Sequence, residues 1–418
     1  MTVSGSERFA ERPRPVGAVP EDGLPEEAFR TVAPAYGAGS LADLLPSVCA
    51  VLGVPGAVDV LGLGERLDGV DRVGVLLVDG LGTYQLPQAV PFAPVLADLV
   101  RSGLSGIGAP GSGPGGDGAG ALTAGFPSTT PVSLVTLGTG VAPGAHGVLG
   151  FTLRRPDGRV LNHIQWADDP DPRDWQPVPT RMEAAMDAGV PVTVVSAPEF
   201  EGTGLSLAAN RGGRYLGAGD GAAVTDGMLA ALRSGPGLVY GYHPDLDRAG
   251  HQDGVCSDSW RAAVRGVDRM LDRLVHGLPA GAALLVIADH GQLNVPDSAR
   301  YDLGADPVLG AGVIGVTGEP RVRYLYVADG ARDDVMANWR AVLGDDARVL
   351  SRDEAIAEGW YGPVPPGHAD RLGDVVVMCW RRAVVLASGW EPARAGELIA
   401  YHGSGTAAEM TIPFLIAR

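Results

Sequence analysis

The chain of 418 residues is 45% hydrophobic, enough to bury a large core in one domain with an insertion or in two domains. It contains no lysine, so its 32 basic residues are all arginines, set against 49 aspartates and glutamates for a net charge of −17. That excludes lysine-dependent chemistry (Schiff-base catalysis, phosphate loops ending in Gly-Lys-Ser/Thr, protein kinases) and disfavours nonspecific binding to nucleic acid or an anionic membrane, while leaving room for a small anionic substrate.

Residues 1–40 are rich in Pro, Gly and Glu and read as an extended lead-in. They lack the apolar core of a secretory signal, and no later apolar run approaches the roughly 18 residues of a membrane span, so no membrane contact and a cytoplasmic location are expected. Cys49, Cys256 and Cys379 have no metal-type spacing and are too few for a disulfide framework, so they are expected to be reduced. The first candidate strand is VGVLLV, ending at Val78. Between residues 102 and 125 lies a glycine-rich segment with a formal G-x-G-x-x-G match at Gly111, Gly113 and Gly116. The match contains Pro114, follows no strand and opens no helix, so it reads as a flexible loop rather than a dinucleotide site.

The stretch STTPVSLVTLGTG has the marks of a helix start, with Thr130 as N-cap, Pro131 at the first helical position, and Gly138 and Gly140 stopping the pattern. A hydroxyl there would sit beside any anion drawn to the free N–H groups and the positive end of the helix dipole. Further candidate strands are VTVVS ending at Ser196, GLVYGY ending at Tyr242 and ALLVIA ending at Ala288. Such near-continuous apolar runs, alternating with amphipathic stretches, predict an α/β fold: a mostly parallel central sheet with helices on both faces. From 311 to 389 the texture changes to a small α+β cap insertion. It comprises strand-like RVRYLYV, helix-like ARDDVMANWRAVLG, a Ser351 and Glu354 capping box, then DVVVMCW and AVVLAS.

Acids and histidines gather at the strand ends. Asp79 follows VLLV, Asp289 and His290 follow LLVIA, and Asp247 and His251 come shortly after LVYGY. In open parallel sheets, ligands bind outside the carboxyl ends of the strands, so these side chains are expected to converge. Asp247 and His251 share a face if DLDRAGH turns helically. His402 adds an imidazole in a glycine-containing turn before a final strand. Taken singly, an Asp at a strand end is usually a cap and a lone His a satisfied group; it is their joint occurrence at three strand ends that points to metal. Carboxylates and neutral imidazoles without thiolates suit Zn²⁺ best, with Mn²⁺ and Fe²⁺ as alternatives.

The stretches VDGLG, FPSTTPVSLVTLGTG with GAHGVLGF, DLDRAGHQDG, ADHG and HGSGTAAEMTIPFL occur in the order found in the alkaline phosphatase superfamily. From about Val73 onward the chain resembles that superfamily's nucleotide pyrophosphatase/phosphodiesterase branch. The resemblance implies an alkaline phosphatase-like catalytic core over 41–310 and 390–418. It also implies hydrolysis of phosphate esters, at phosphodiester or nucleotide pyrophosphate bonds, through a phosphothreonine intermediate at a site with two divalent metal ions. Counting back from Thr139 and Gly140, the implied nucleophile is Thr130 rather than Thr129 or Ser128. One metal would be held by Asp79, Thr130, Asp289 and His290, the other by Asp247, His251 and His402. Asp245 has the wrong offset from His251 and is expected in a turn. The implied partner is a small phosphorylated substrate, a nucleotide among the candidates.

Two features depart from the resemblance: the residues after the nucleophile, and the α+β insertion that follows ADHG, whose site-lining residues the motifs do not assign. Many relatives carry an Asn shortly after the nucleophile, whereas Val132 and Ser133 follow Pro131 here, so oxyanion contacts must come from metals, backbone N–H groups or elsewhere. Cationic help for a doubly charged monoester would have to come from an arginine such as Arg211 or Arg248, or from a third metal, for which the sequence offers no separate ligand set. Trp360 and Tyr361 of the insertion are either an apolar surface for a second substituent or ordinary packing. The ligand set does not separate a diesterase from a phosphomonoesterase, phosphonate hydrolase or phosphomutase. A sulfatase would need C/S-x-P-x-R and a serine hydrolase G-x-S-x-G, and neither pattern fits. A catalytically inactive, metal-stabilised binding protein is the rival of another class, though it would have no need of Thr130.

Overall fold

The computed structural model describes residues 19–104 and 120–418. Residues 1–18 of the lead-in and the glycine match at Gly111, Gly113 and Gly116 lie outside the described residues. The strands used below are β1 (Arg72–Val78), β2 (Ala121–Thr123), β3 (Val192–Ser196), β4 (Arg214–Gly217), β5 (Gly237–His243), β6 (Ala282–Ile287) and β7 (Leu293–Asn294). They continue as β8 (Val313–Glu319), β9 (Val322–Val327), β10 (Ala347–Ser351), β11 (Val375–Cys379), β12 (Ala400–Tyr401) and β13 (Thr411–Ala417).

All four apolar runs singled out in the sequence are strands of one seven-stranded sheet, in the order β2-β13-β6-β1-β5-β3-β4. β1 lies at its centre, parallel to β5 and β6, and β3 and β4 extend the parallel set beyond β5. β13 runs antiparallel to both β6 and β2. Every residue of β5 and β6 is buried, as expected for strands covered on both faces. Flanking helices include Leu41–Val51, Thr130–Thr139, Gly221–Ser234 and Asp258–Gly277. The register aligns Leu77 with Tyr242 and with Ile287, so the carboxyl ends of β1, β5 and β6 lie side by side.

A second, antiparallel sheet has the order β8-β9-β11-β10. It has its own core, in which Leu325, Val349 and Val377 pack with Val335 and Trp339 of the helix Arg332–Leu343. The Ser351 and Glu354 capping box forms at the start of the helix Arg352–Ala357. Two details differ from expectation. β8 lacks a clear strand signature because its run, VIGVTGE, is interrupted by glycines and a polar threonine. AVVLAS contributes Val384–Leu386, which pairs in parallel with Arg300–Asp302 rather than joining the four-stranded sheet.

Trp360 and Tyr361 are packing residues. Both are buried, with the Phe126 ring 4.7 Å from Trp360 and 5.4 Å from Tyr361 between centroids. The Tyr36 hydroxyl accepts from the Phe126 N–H at 3.0 Å and donates to the Trp360 carbonyl at 3.2 Å. These aromatics thus support the segment leading to Thr130 and offer no open face to a substrate.

Candidate active site

The helix Thr130–Thr139 starts one residue earlier than expected. Thr129 is the extended N-cap (φ −127°, ψ 148°), and its carbonyl accepts the first helical bond, from the Ser133 N–H at 3.0 Å. Thr130 is therefore the first helical residue. Gly140, left-handed at φ 66°, ends the helix as expected, whereas Gly138 lies inside it.

The hydroxyls of this segment are not equivalent. Ser128 Oγ donates to the Ser404 carbonyl at 2.7 Å, and Ser133 Oγ donates to the Asp289 carbonyl at 2.8 Å. Ser128, Thr129 and Ser133 are fully buried. Thr130 alone of the four is partly exposed, and its Oγ1 lies 3.1 Å from His290 Nε2.

At the end of β1, Asp79 turns in beside Asp289 and His290, which follow β6. His290 Nε2 is 3.5 Å from Asp79 Oδ1 and 3.2 Å from Asp289 Oδ2. The Asp289 Oδ1 atom accepts from the N–H groups of Gly80 at 3.2 Å and His290 at 3.0 Å. Gly80 is left-handed (φ +75°), and an added Cβ there would sit 3.0 Å from the Asp247 backbone. Only glycine lets the β1 loop lie this close to the neighbouring helix.

That helix, Asp245–Asp253, puts Asp247 and His251 on one face, with His251 Nε2 3.3 Å from Asp247 Oδ2. His402, just past β12, completes the group: its Nε2 is 3.7 Å from Asp247 Oδ1 and 3.2 Å from His251 Nε2. The two groups adjoin through the stacked rings of His290 and His402, whose centroids are 3.5 Å apart. Asp245 is not in a turn. It opens the helix and pairs with Arg248 at 3.0 Å, away from the cluster. Arg211 is committed elsewhere, to Glu183 at 2.9 Å and to the Val178 carbonyl.

The arrangement fits divalent cations. Within each group the candidate donor atoms lie within 4.8 Å of one another. The buried atoms Asp79 Oδ1 and Asp289 Oδ2 have no hydrogen-bond partner, a costly condition unless a cation satisfies them. All three histidines anchor Nδ1 on a backbone carbonyl: His251 on Ala400 at 2.8 Å, His402 on Ser128 at 2.9 Å and His290 on Gly291 at 3.3 Å. The Nδ1 protons are assigned from these contacts, and they leave each Nε2 lone pair facing the site. Two such lone pairs 3.2 Å apart, on His251 and His402, repel unless they share a cation.

Electrostatics agree. Burial, with Asp289 and Asp247 alongside, pushes the Asp79 carboxyl well above the usual carboxylate range. Burial pushes Asp289 the same way, but without a metal the Asp289 carboxylate holds a proton on His290, and that charge together with the N–H groups brings the carboxyl down; a bound cation would take the place of the proton. Burial, reinforced by His290 and His251, holds His402 well below the ordinary imidazole value. The cluster is short of positive charge, and bound metal ions would make up the deficit.

Residues 73–405 match the sequence profile of the type I phosphodiesterase/nucleotide pyrophosphatase family. The chain belongs to this family. A search of curated protein sequences finds no match. Among solved structures, this family member resembles murine ectonucleotide pyrophosphatase/phosphodiesterase 5, an inactive threonine-to-alanine variant in complex with AMP, at 17% identity and a TM-score of 0.62. The match covers 83% of this chain and 88% of that one. It is similar to phosphonoacetate hydrolase from Sinorhizobium meliloti 1021 in complex with phosphonoacetate, at 21% identity and a TM-score of 0.61, over 84% of this chain and 91% of that one. At such identities the likeness establishes the alkaline phosphatase-like fold.

Several residues around the cluster were not legible in the sequence. The Tyr242 hydroxyl donates to Asp79 Oδ2, and Gln292 Nε2 donates to Asp247 Oδ1. Glu409 ties the turn after His402 by accepting from Ser404 N–H at 2.9 Å and from the Thr406 hydroxyl, and it is neutralised by the buried Arg321 at 2.6 Å. Glu319, at the end of β8, is buried beside Thr129, and burial pushes its carboxyl up to about 8.

Proposed function

We propose that this chain is a metal-dependent hydrolase of phosphodiester or nucleotide pyrophosphate bonds, with Thr130 as its nucleophile. One observation carries the assignment. Of the hydroxyls in the helix-start segment, Thr130 alone is partly exposed, and it meets the carboxylate–histidine cluster at 3.1 Å. Asp79, Asp289, His290 and Thr130 would hold one divalent ion, and Asp247, His251 and His402 the other. The donor set suits Zn²⁺ best, with Mn²⁺ and Fe²⁺ as alternatives. Bound there, the ions would supply Lewis-acid activation of the hydroxyl and neutralise charge on the phosphoryl oxygens.

The chain's own residues account for the rest. The helix start places free N–H groups and the positive dipole end beside the phosphoryl group. Thr130 Oγ1 gives up its proton to solvent and forms a bond to phosphorus as the bond to the leaving oxygen breaks, and that oxygen takes a proton from water; a second water then attacks phosphorus, the Oγ1–phosphorus bond breaks, and the Thr130 hydroxyl is restored. Ser133 is held on the Asp289 carbonyl and so orients the cluster rather than the substrate.

A singly charged diester suits this site better than a doubly charged monoester. Arg211, one of the two arginines named for the extra charge, is buried and tied to Glu183 and Val178, which leaves only the half-exposed Arg248, paired with Asp245, to serve it. The murine relative's complex with AMP supports a nucleotide-type ligand. The two-part division, with a core over 41–310 and 390–418 and a cap over 311–389, is part of this proposal, supported by the separate core of the second sheet. So is a cytoplasmic location, supported by three free cysteines.

The test compares kcat/KM for a nitrophenyl nucleotide diester, bis-nitrophenyl phosphate and nitrophenyl phosphate, with phosphate release from phosphonoacetate measured on the same preparation. Both diesters should exceed the monoester, with about two metal ions per chain by elemental analysis and loss of activity in EDTA. A monoester value tenfold above both diesters, about 1.4 kcal/mol of transition-state preference, would make the protein a phosphatase. Phosphonoacetate as the best substrate would make it a phosphonate hydrolase. Full activity in EDTA with no bound metal would remove the mechanism altogether.

A further inference from the structure

Among the contacts behind the metal-ligand candidates, one arises directly from the sheet. β1 and β5 run parallel with Val78 opposite His243, and the Asp79 N–H continues the ladder by donating to the His243 carbonyl at 3.0 Å. That register brings Tyr242 alongside the Asp79 side chain. The phenol is buried, and the Phe200 ring packs edge-on against it with centroids 6.1 Å apart. Its hydroxyl donates to Asp79 Oδ2, while Asp79 Oδ1, on the His290 side, has no hydrogen-bond partner.

A free aspartate can rotate and present either oxygen, or both, to a cation. One strong hydrogen bond to a single oxygen removes that freedom, which is how outer hydrogen bonds orient a metal-binding carboxylate. We propose that Tyr242 is a positioning residue for Asp79: by holding Oδ2 it presents Oδ1 to the metal. This rests on the reading of Asp79, Asp289 and His290 as metal ligands.

The sheet supplies an internal control. Tyr240, two residues earlier and therefore on the same face of β5, is buried as well, yet its hydroxyl makes no hydrogen bond. Removing either hydroxyl takes the same group from the same face of the same strand, but only one removal frees Asp79.

The experiment uses the full chain stripped of metal and titrated with Zn²⁺ against a chromophoric chelator, for the wild type, Tyr242→Phe, Tyr240→Phe and Asp79→Asn. Thermal midpoints of the metal-free proteins check that each is folded. Tyr242→Phe should bind one of its two ions tenfold or more weakly, the usual scale for an outer hydrogen-bond partner, and the Co²⁺-loaded protein should show a changed d–d absorption spectrum. Tyr240→Phe should match the wild type in both readouts, and Asp79→Asn should lose one ion. If Asp79→Asn loses an ion while Tyr242→Phe binds Zn²⁺ as tightly as Tyr240→Phe with an unchanged Co²⁺ spectrum, the role given to Tyr242 is overturned. If Asp79→Asn keeps both ions at wild-type affinity, it is the metal-site reading that falls.

Discussion

Thr130 and Thr129 are adjacent and chemically identical, yet their surroundings separate them. Thr129 is fully buried at the N-cap position, and Thr130 is partly exposed beside His290. Thr130→Ala should therefore keep its fold and metals while turnover falls by a factor of about 10³ or more, the scale of losing a nucleophile. Thr129→Ala should lose far less turnover. Its hydroxyl makes no capping hydrogen bond, so the cost to stability should stay under about 1 kcal/mol. Measured kcat, metal content and urea midpoints for both variants would check this, and equal losses of turnover would remove Thr130 as the nucleophile. The acids and histidines of the cluster were legible in the sequence because strand ends in an open sheet converge and because Asp247 and His251 have helical spacing. Tyr242, Gln292 and Glu319 were not. They belong to strands or their turns, are neutral or buried, and act through other side chains, so only the register that sets them beside a ligand reveals them.

At the scale of elements, the helix Thr130–Thr139 depends on close approach to the helix Gly204–Asn210. A Cβ on Gly138 would fall 1.8 Å from the Ala209 carbonyl oxygen, a backbone atom that cannot move aside cheaply. In the sequence Gly138 reads as a stop signal, because glycine inside a helix and glycine at its end look alike until a neighbour is known to press against it. Gly138→Ala should cost about 1–3 kcal/mol and lower the thermal midpoint, with a fall in kcat as the helix carrying Thr130 is pushed outward. Gly367→Ala, where an added methyl meets nothing within 4 Å, is the control and should change neither. A Gly138→Ala protein as stable and active as the control would mean that this packing does not set the position of Thr130. The strands of the parallel set were legible because apolar runs between turn residues have few other uses. β8 and the partner of Val384–Leu386 were not, since glycines blur the first and pairing between segments so distant in the chain has no local signature.

For the molecule as a whole, acid should be the weak condition. Burial pushes His163 down to about 4, and it also lowers His146 and His368. His146 hydrogen-bonds Thr136 Oγ1 at 3.0 Å, and His368 links the second half of the chain to the Gly144 carbonyl at 2.8 Å. A histidine whose folded pKa lies below its unfolded value takes up its proton first in the unfolded chain. Stability is then intact above about pH 6.5 and falls as pH drops from there toward about 4, by up to about 1.4 kcal/mol per pH unit for each of the fully buried His146 and His163, with a smaller, solvent-screened part from His368. Urea midpoints of chelator-treated protein should decline over that window, and less steeply for His163→Gln. A flat profile, or identical slopes for the two proteins, would contradict this assignment of the acid-labile groups.

The interior place of β13 in the sheet bears on how the protein is made. This strand, residues 411–417, lies between β6 and β2, and His402 comes only nine residues ahead of it. On the ribosome, β1, β3, β5 and β6 can pair as they emerge, but one edge of β6 stays open until β13 arrives, and His402, proposed as a metal ligand, appears almost as late. An exposed edge of buried-type sequence is a template for wrong pairing with another chain. While residues 288–410 are being made, the nascent protein therefore carries a sticky edge on β6 and lacks His402 or β13, and closure of that edge and completion of the proposed metal site wait on the same short segment.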